Sequence, residues 1–285
     1  MPPPICQIFS TKFFTPTTSK LQAPTMFNIK RAGIIAKTLA KSTRSFHEVP
    51  ILKNQEKYLA NGIEGLYSSS GFKSAWVDYQ KYLTLNLTLH TNGTENELRN
   101  PYQILLQTAK QTTEQHIFHF ASQAHNNHFV MEQLTDKSSA EKTRPSRALM
   151  EKLAFQDIAD METFRERMLL LADSSFGQGW VFLVEYPDKS LRILRCNNDG
   201  TPYYYGKNQS LDLNGGVDEG SYEYLNNLKE RAQNKERDWA LPILGINCWD
   251  TAYINDYGVT GKAEYLTNVW DCINWDVVNK RLFQI

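Results

Sequence analysis

Ser174-Ser-Phe-Gly-Gln-Gly-Trp-Val-Phe-Leu-Val184 is the stretch from which the fold is read. Its glycines, Gly177 and Gly179, stop the helical pattern that precedes them. Trp180 to Val184 is then an unbroken apolar run of strand length, the mark of a strand buried on both faces. Immediately downstream, Pro187-Asp188 signals a turn and Leu191-Arg-Ile-Leu-Arg195 roughly alternates, so the two runs form a β-hairpin. Leu241-Pro-Ile-Leu-Gly-Ile246 supplies a third strand.

Upstream, helical spacing dominates. Leu149, Leu153, Phe155, Met161, Phe164, Met168, Leu171 and Ala172 mark two helical segments. Leu66, Phe72, Trp76, Tyr79, Leu83 and Leu87 predict a helix over about 62–92, interrupted near Ser68-Ser-Ser-Gly71. Thr91 to Asn96 reads as a turn, and Pro101 to about Met131 as a second long helix. Two such helices joined by a short loop predict an antiparallel hairpin. The polar stretch 135–146, with Pro145, reads as an inter-domain linker. Residues 206–240 read as a charge-rich insertion with a short surface helix at Glu223–Arg231, and Ala252–Phe283 as a helical tail. The expected class is α+β: an N-terminal helical hairpin over 47–140, then a C-terminal domain over 141–285 with a small antiparallel three-stranded sheet and flanking helices.

Of the 285 residues, 22% are charged and 41% hydrophobic, with a net charge of zero. Nothing in that balance demands a nucleic acid or an anionic membrane as partner. Cys6, Cys196, Cys248 and Cys272 form no CxxC pair, which argues against a zinc knuckle or a disulfide framework. No apolar stretch reaches the roughly 18 residues of a membrane span. The first 47 residues differ from the rest: Lys12, Lys20, Lys30, Arg31, Lys37, Lys41 and Arg44 occur without one Asp or Glu. That composition predicts a mitochondrial presequence over 1–46, with Arg44-Ser45-Phe46 as a matrix-protease signal and Met26 as an alternative start. The competing reading is a basic arm that is retained and touches nucleic acid.

Few patterns carry chemistry. His116, His119, His125 and His128 share one window, each pair at i,i+3, which invites a metal hypothesis. No HExxH, cysteine pair or Walker A sequence accompanies them, and Gly177-Gln-Gly179 lacks the third glycine of a dinucleotide loop. No GxSxG elbow occurs. Asp250, Asp256, Asp271 and Asp276 read as caps or solvated faces, and the alternating charges from Lys229 to Arg237 as a solvated helix.

Several ordered motifs together bring a family into view. Ser174 to Val184 resembles the FGSGWxWLV strand entry of the iron/manganese superoxide dismutases. Asn247-Cys-Trp-Asp-Thr-Ala-Tyr253 resembles that family's DVWEHAYY box, Ala121 to Phe129 its AAQxWNHTF helix, and Asp78-Tyr-Gln-Lys-Tyr82 its HHQTY segment. Tyr257, Tyr265, Trp270, Ile273-Asn-Trp275 and Val278 continue the likeness, which covers about residues 60–285. The family holds one iron or manganese through three histidines and an aspartate. By this resemblance the four ligand positions fall on Ser74, Asn127, Asn247 and Thr251, none of which offers an imidazole or a carboxylate. Tyr82 falls on the substrate-gate tyrosine and Gln123 on the glutamine that bonds metal-bound solvent, both read as filling the old cavity. The family's glutamate–histidine dimer bridge falls on Asp250-Thr251, where it is lost.

The resemblance therefore implies a protein without cofactor, metal, catalytic residue or small-molecule substrate. A presequence with such a fold resembles the fungal mitochondrial small-subunit ribosomal proteins of dismutase ancestry. It implies a structural role in mitochondrial translation in the matrix, with ribosomal proteins as partners, a second dismutase-like chain as heterodimer partner, and local rRNA contact. The segments 206–240 and 135–146 are the expected contact regions. The alternatives are an active mitochondrial dismutase and a non-ribosomal partner of a dismutase-like chain.

Overall fold

The computed structural model describes residues 47–109, 111–203, 230, 233–234 and 240–282. The presequence over 1–46, the surface helix at 223–231 (Glu230 apart) and most of the insertion at 206–240 lie outside the described residues. By its contacts the chain divides into Met1–Arg44 and Ser45–Ile285, and the second unit holds every described residue.

The apolar run after Gly179 forms β1 (Gly179–Glu185), buried at all seven positions. A strand buried on both faces needs no alternation, which is why its sequence shows none. β1 lies between β2 (Leu191–Asn197) and β3 (Leu241–Asn247), antiparallel to both. The β1–β2 turn is set by Lys189 in the left-handed region and by Asp188, whose carboxylate accepts from Ser190 N at 2.9 Å. On β3 the register shifts between Leu183 and Val184, opposite Pro242, which has no N–H to give a ladder. Gln133 then acts on β3 as a further strand would. Its Oε1 accepts from Gly245 N at 3.1 Å and its Nε2 donates to Gly245 O.

Several of the helices around this sheet start at capping side chains. α1 spans Gln55–Asn61. α2 (Ser69–Phe72) starts at Ser68, whose Oγ accepts from Gly71 N. A π-helical segment (Lys73–Asp78) carries α2 into α3 (Tyr79–Thr91). The expected long helix after Pro101 is two helices. α4 (Pro101–Thr108) opens with an Asn100 capping box, a short 3-10 turn follows at Thr112–Glu114, and α5 runs Gln115–Glu132. Gln111, in extended conformation, makes the break. α3 and α4 both pack on α5, around a small core that includes Leu87, Leu105 and Phe118.

The stretch 135–146 is not a free linker. α6 (Lys137–Ala140) lies in it, Thr135 N donates to Cys272 O at 2.9 Å, and Lys137 N donates to Glu64 O at 3.0 Å. Asp136 is buried, accepts from Glu64 N at 3.1 Å and pairs with Lys57. The main apolar core takes members from Leu52 to Leu282 and so runs across residue 140. Polar composition misled here because those polar groups bond inward.

α7 (Arg147–Ala154) and α8 (Met161–Asp173) are capped by Ser146 and Asp160. The helical tail is three helices: α9 (Asp250–Tyr257), α10 (Lys262–Asp271) and α11 (Trp275–Arg281). Gly258, at φ 70°, ends the first, and Asn274 caps the last. Arg281 ties α11 to α5 and β3, its guanidinium 3.6 Å from the Phe129 ring centroid and 2.8 Å from Phe129 O. It also bonds Gln133 Oε1 at 3.1 Å, and burial lowers its pKa to about 10.

Candidate functional site

Asn127, on α5, and Asn247, at the end of β3, are buried and adjacent. Asn247 Nδ2 donates to Asn127 Oδ1 at 3.3 Å, and Asn247 Oδ1 accepts from Trp249 N at 2.8 Å. Asn127 Nδ2 donates to Gln80 Oε1 at 3.0 Å and to Ala75 O at 3.4 Å. Gln80 Nε2 in turn donates to Ala124 O at 2.8 Å. The result is a closed amide relay from α9's entry to α3 in which each carboxamide is satisfied, as burial requires. Ser74 is half-buried in the π-helical segment. Thr251 stands on α9 with its Oγ1 buried and without a hydrogen bond of regular geometry among the described residues. It is nevertheless near enough to the Tyr79 hydroxyl to oppose the effect of burial, which raises that phenol's pKa.

These four positions do not fit a redox metal. A cation needs converging imidazole, carboxylate or thiolate donors, whereas the amide oxygens here are already engaged by N–H donors. Among the described residues, no three His, Cys, Asp or Glu side chains gather as a metal site would require. Cys196, Cys248 and Cys272 are buried free thiols.

Around the relay, Gln123 is buried and donates to Asn198 O at 3.2 Å. Tyr79, and not Tyr82, reaches it, with the phenol 3.5 Å from Gln123 Oε1. Tyr82 is 54% exposed and lies edge-on to Phe120. Tyr79 and Gln80 are the residues around this relay that the sequence did not single out, although both lie within the quoted segment Asp78 to Tyr82. The π-helical segment just before them is the reason. It takes an extra residue per turn, so residues beyond it face differently from an ideal 3.6-residue count.

Asp250, onto which the resemblance puts part of the family's dimer bridge, has both carboxylate oxygens occupied within the chain. Gln178 Nε2 donates to one at 2.6 Å and the Tyr253 hydroxyl to the other at 2.7 Å. Asp250 N also donates to Gln178 Oε1 at 2.8 Å. Two residues before Gln178, Phe176 is 96% exposed.

The histidine window forms no single site. His116 lies edge-on to His90, and His128 stacks on Trp76 with its Nε2 3.5 Å from Glu132. His119 Nδ1 is 3.3 Å from Asp199 Oδ2, and His125 Nε2 is 2.8 Å from the Tyr203 hydroxyl. Burial pushes the His125 pKa down to about 3, so it is neutral, and lowers that of His128 as well. With Asn126 Nδ2 donating to Gly200 O at 3.0 Å, His119 and His125 fasten residues 198–203 onto α5. Their role is to position the chain leaving β2.

Comparison with known proteins bears on the fold. The family model for the C-terminal domain of iron/manganese superoxide dismutases matches residues 216–281. The fold is superoxide-dismutase-like. This dismutase-like chain is 28% identical over 242 residues to the small ribosomal subunit protein mS43 of Schizosaccharomyces pombe, covering 84% of the chain and 85% of that relative. It is 28% identical over 222 residues to mS42 of the same organism, covering 72% and 90%. An iron superoxide dismutase of Salmonella typhimurium is 28% identical over 207 residues, covering 72% and 83%. Among the described residues, no helix is long and apolar enough to cross a membrane.

Proposed function

We propose that this chain is a structural component of the mitochondrial small ribosomal subunit and supports mitochondrial translation in the matrix without dismutase activity. The observation that carries this reading is the Asn127–Asn247 amide pair at 3.3 Å where the family places two metal ligands. It stands beside similarity to two small ribosomal subunit proteins over most of the chain. A dismutase needs a metal that cycles between oxidation states, and neutral carboxamides bonded to each other supply neither charge nor open donors for one. Pairing with a related dismutase-like chain is supported by the exposed Phe176, two residues before the Gln178 that bonds Asp250, and by an Asp250 already satisfied within its own chain. Such a partner would add apolar contact in place of the lost charge bridge. A basic presequence over 1–46 and a local rRNA contact belong to the same reading.

Sedimentation of the tagged chain from mitochondrial lysate tests it. Co-migration with small-subunit rRNA is expected, and a chain that stays at the top of the gradient refutes the assignment. The second reading, an active dismutase, draws on similarity to an iron enzyme at equal identity. Metal analysis decides that point: about one iron or manganese per purified chain, with activity, would establish it.

A further inference from the structure

α8 and α10 pack side by side and leave a groove of about 440 Å³ between them. Leu169, Leu170, Ala263 and Leu266 give it an apolar lining. Leu266 is buried at the floor, whereas Leu170 is 71% exposed at the lip. An exposed leucine along an apolar groove is the usual mark of an interaction surface.

The charge on this groove is negative and unpaired. Glu166 and Asp173 line it, both exposed, and among the described residues no Lys, Arg or His does. Glu264, next to Ala263 in sequence, is a third exposed carboxylate. Among the described residues, no hydrogen bond or ion pair engages these three carboxylates. The cations nearby are committed elsewhere. Arg165 pairs with Glu162 and Asp271, and Lys262 Nζ donates to the carbonyl oxygens of Ser175 at 2.9 Å and Asp173 at 3.4 Å.

The spacing narrows what can bind. Glu166 and Asp173 stand two turns apart on α8, about 10.5 Å along its axis. One metal ion cannot span them, since carboxylate oxygens hold a cation at about 2.0–2.6 Å. The phosphates of RNA are repelled by both. A polypeptide fits: its apolar side chains cover the leucines, and its Lys or Arg residues meet the two carboxylates.

We propose that the α8–α10 groove docks a basic amphipathic segment of another protein. The inference deepens the ribosomal reading, since proteins that hold RNA carry basic arms, and rests on it only for where that protein is sought.

Photo-crosslinking tests it. Benzoylphenylalanine replaces Thr267, an exposed residue of this groove, in the full chain expressed in its own cells. After illumination, the attachment point is mapped by mass spectrometry wherever the chain migrates in the gradient. The expected product joins position 267 to a segment of a different protein with apolar residues and at least two Lys or Arg. Glu166→Lys with Asp173→Lys should lower its yield at least about tenfold, because repulsion replaces attraction at two points. Glu166→Gln with Asp173→Asn should lower it by less. The neutral pair keeps the size of both side chains and removes no bond within the chain, so its effect is read even if the reversed pair unfolds. Attachment to a segment without such cations, to a second copy, to the same chain or to rRNA overturns the proposal. So does a missing product, or a yield that ignores both pairs of substitutions. Absence of the chain from the small-subunit fraction would refute the ribosomal assignment alone.

Discussion

Asn247 Nδ2 donates to Asn127 Oδ1 at 3.3 Å, and this single hydrogen bond joins two positions onto which the sequence resemblance puts an aspartate and a histidine ligand. Asn127→Ala removes the shared partner of Asn247 Nδ2 and Gln80 Oε1 and leaves both buried groups unsatisfied. A loss of about 1–3 kcal/mol is expected in urea unfolding. Asn127→Leu and Asn247→Leu combined should cost less than the sum of the two single changes, by at least about 0.5 kcal/mol. Strict additivity would show that the relay is not a unit.

Restoring the donors should restore a site. Ser74→His, Asn127→His, Asn247→Asp and Thr251→His together are expected to bind close to one manganese or iron per chain, measured by elemental analysis after dialysis. The unaltered chain should retain essentially none. The four-fold variant without metal should be less stable than the unaltered chain, because it buries an uncompensated carboxylate. Equal metal content in the two proteins would overturn the reading of the site.

Acid should destabilise the fold through its buried histidines. His125 has its pKa pushed by burial from 6.5 to about 3, and burial also lowers those of His47 and His128. A histidine with a depressed folded pKa takes up protons first in the unfolded chain. The His125 contribution is therefore complete above pH 6.5 and is lost as pH drops toward 3, by up to about 1.4 kcal/mol per unit, and His47 and His128 act in the same direction. His125→Gln should flatten this dependence between pH 6 and 4 in urea titrations at a series of pH values. An unchanged slope would place the proton uptake elsewhere.

Gly71 is needed for its size. A Cβ there would overlap the Asp256 carboxylate, which accepts from Ser68 N and Oγ at 2.7 Å each. Gly71→Ala should displace the carboxylate from the start of α2 and cost about 1 kcal/mol or more in thermal unfolding. Asp256→Ala should cost a similar amount, and the double variant little beyond either. A fully additive double variant would show that the alanine acts by another route.

The strands were legible because apolar runs and turn residues are local signals. Trp180 to Val184 became the fully buried central strand, and Leu241 to Ile246 its partner. Other features were hidden because they depend on distant partners. Gln133 completing β3 at Gly245, and Arg281 reaching back to Phe129, join residues more than a hundred positions apart. The polar stretch 135–146 looked like a linker, since composition does not say whether a polar group bonds to water or to Glu64 and Cys272. The helix expected to run from Pro101 to Met131 breaks at Gln111, a boundary that apolar spacing alone does not mark.

Sequence alone determined the residue types at the four positions that the resemblance matches to metal ligands, and with them the lack of imidazole and carboxylate at Ser74, Asn127, Asn247 and Thr251. Chemical identity is a local property and needs no coordinates. What occupies their place was decided by tertiary structure. The π-helical segment at Lys73–Asp78 brings Tyr79 to Gln123 and Gln80 to Asn127, and leaves Tyr82 at the surface. Buried amides must find partners, and only the packing of α3, α5 and β3 says which amides meet.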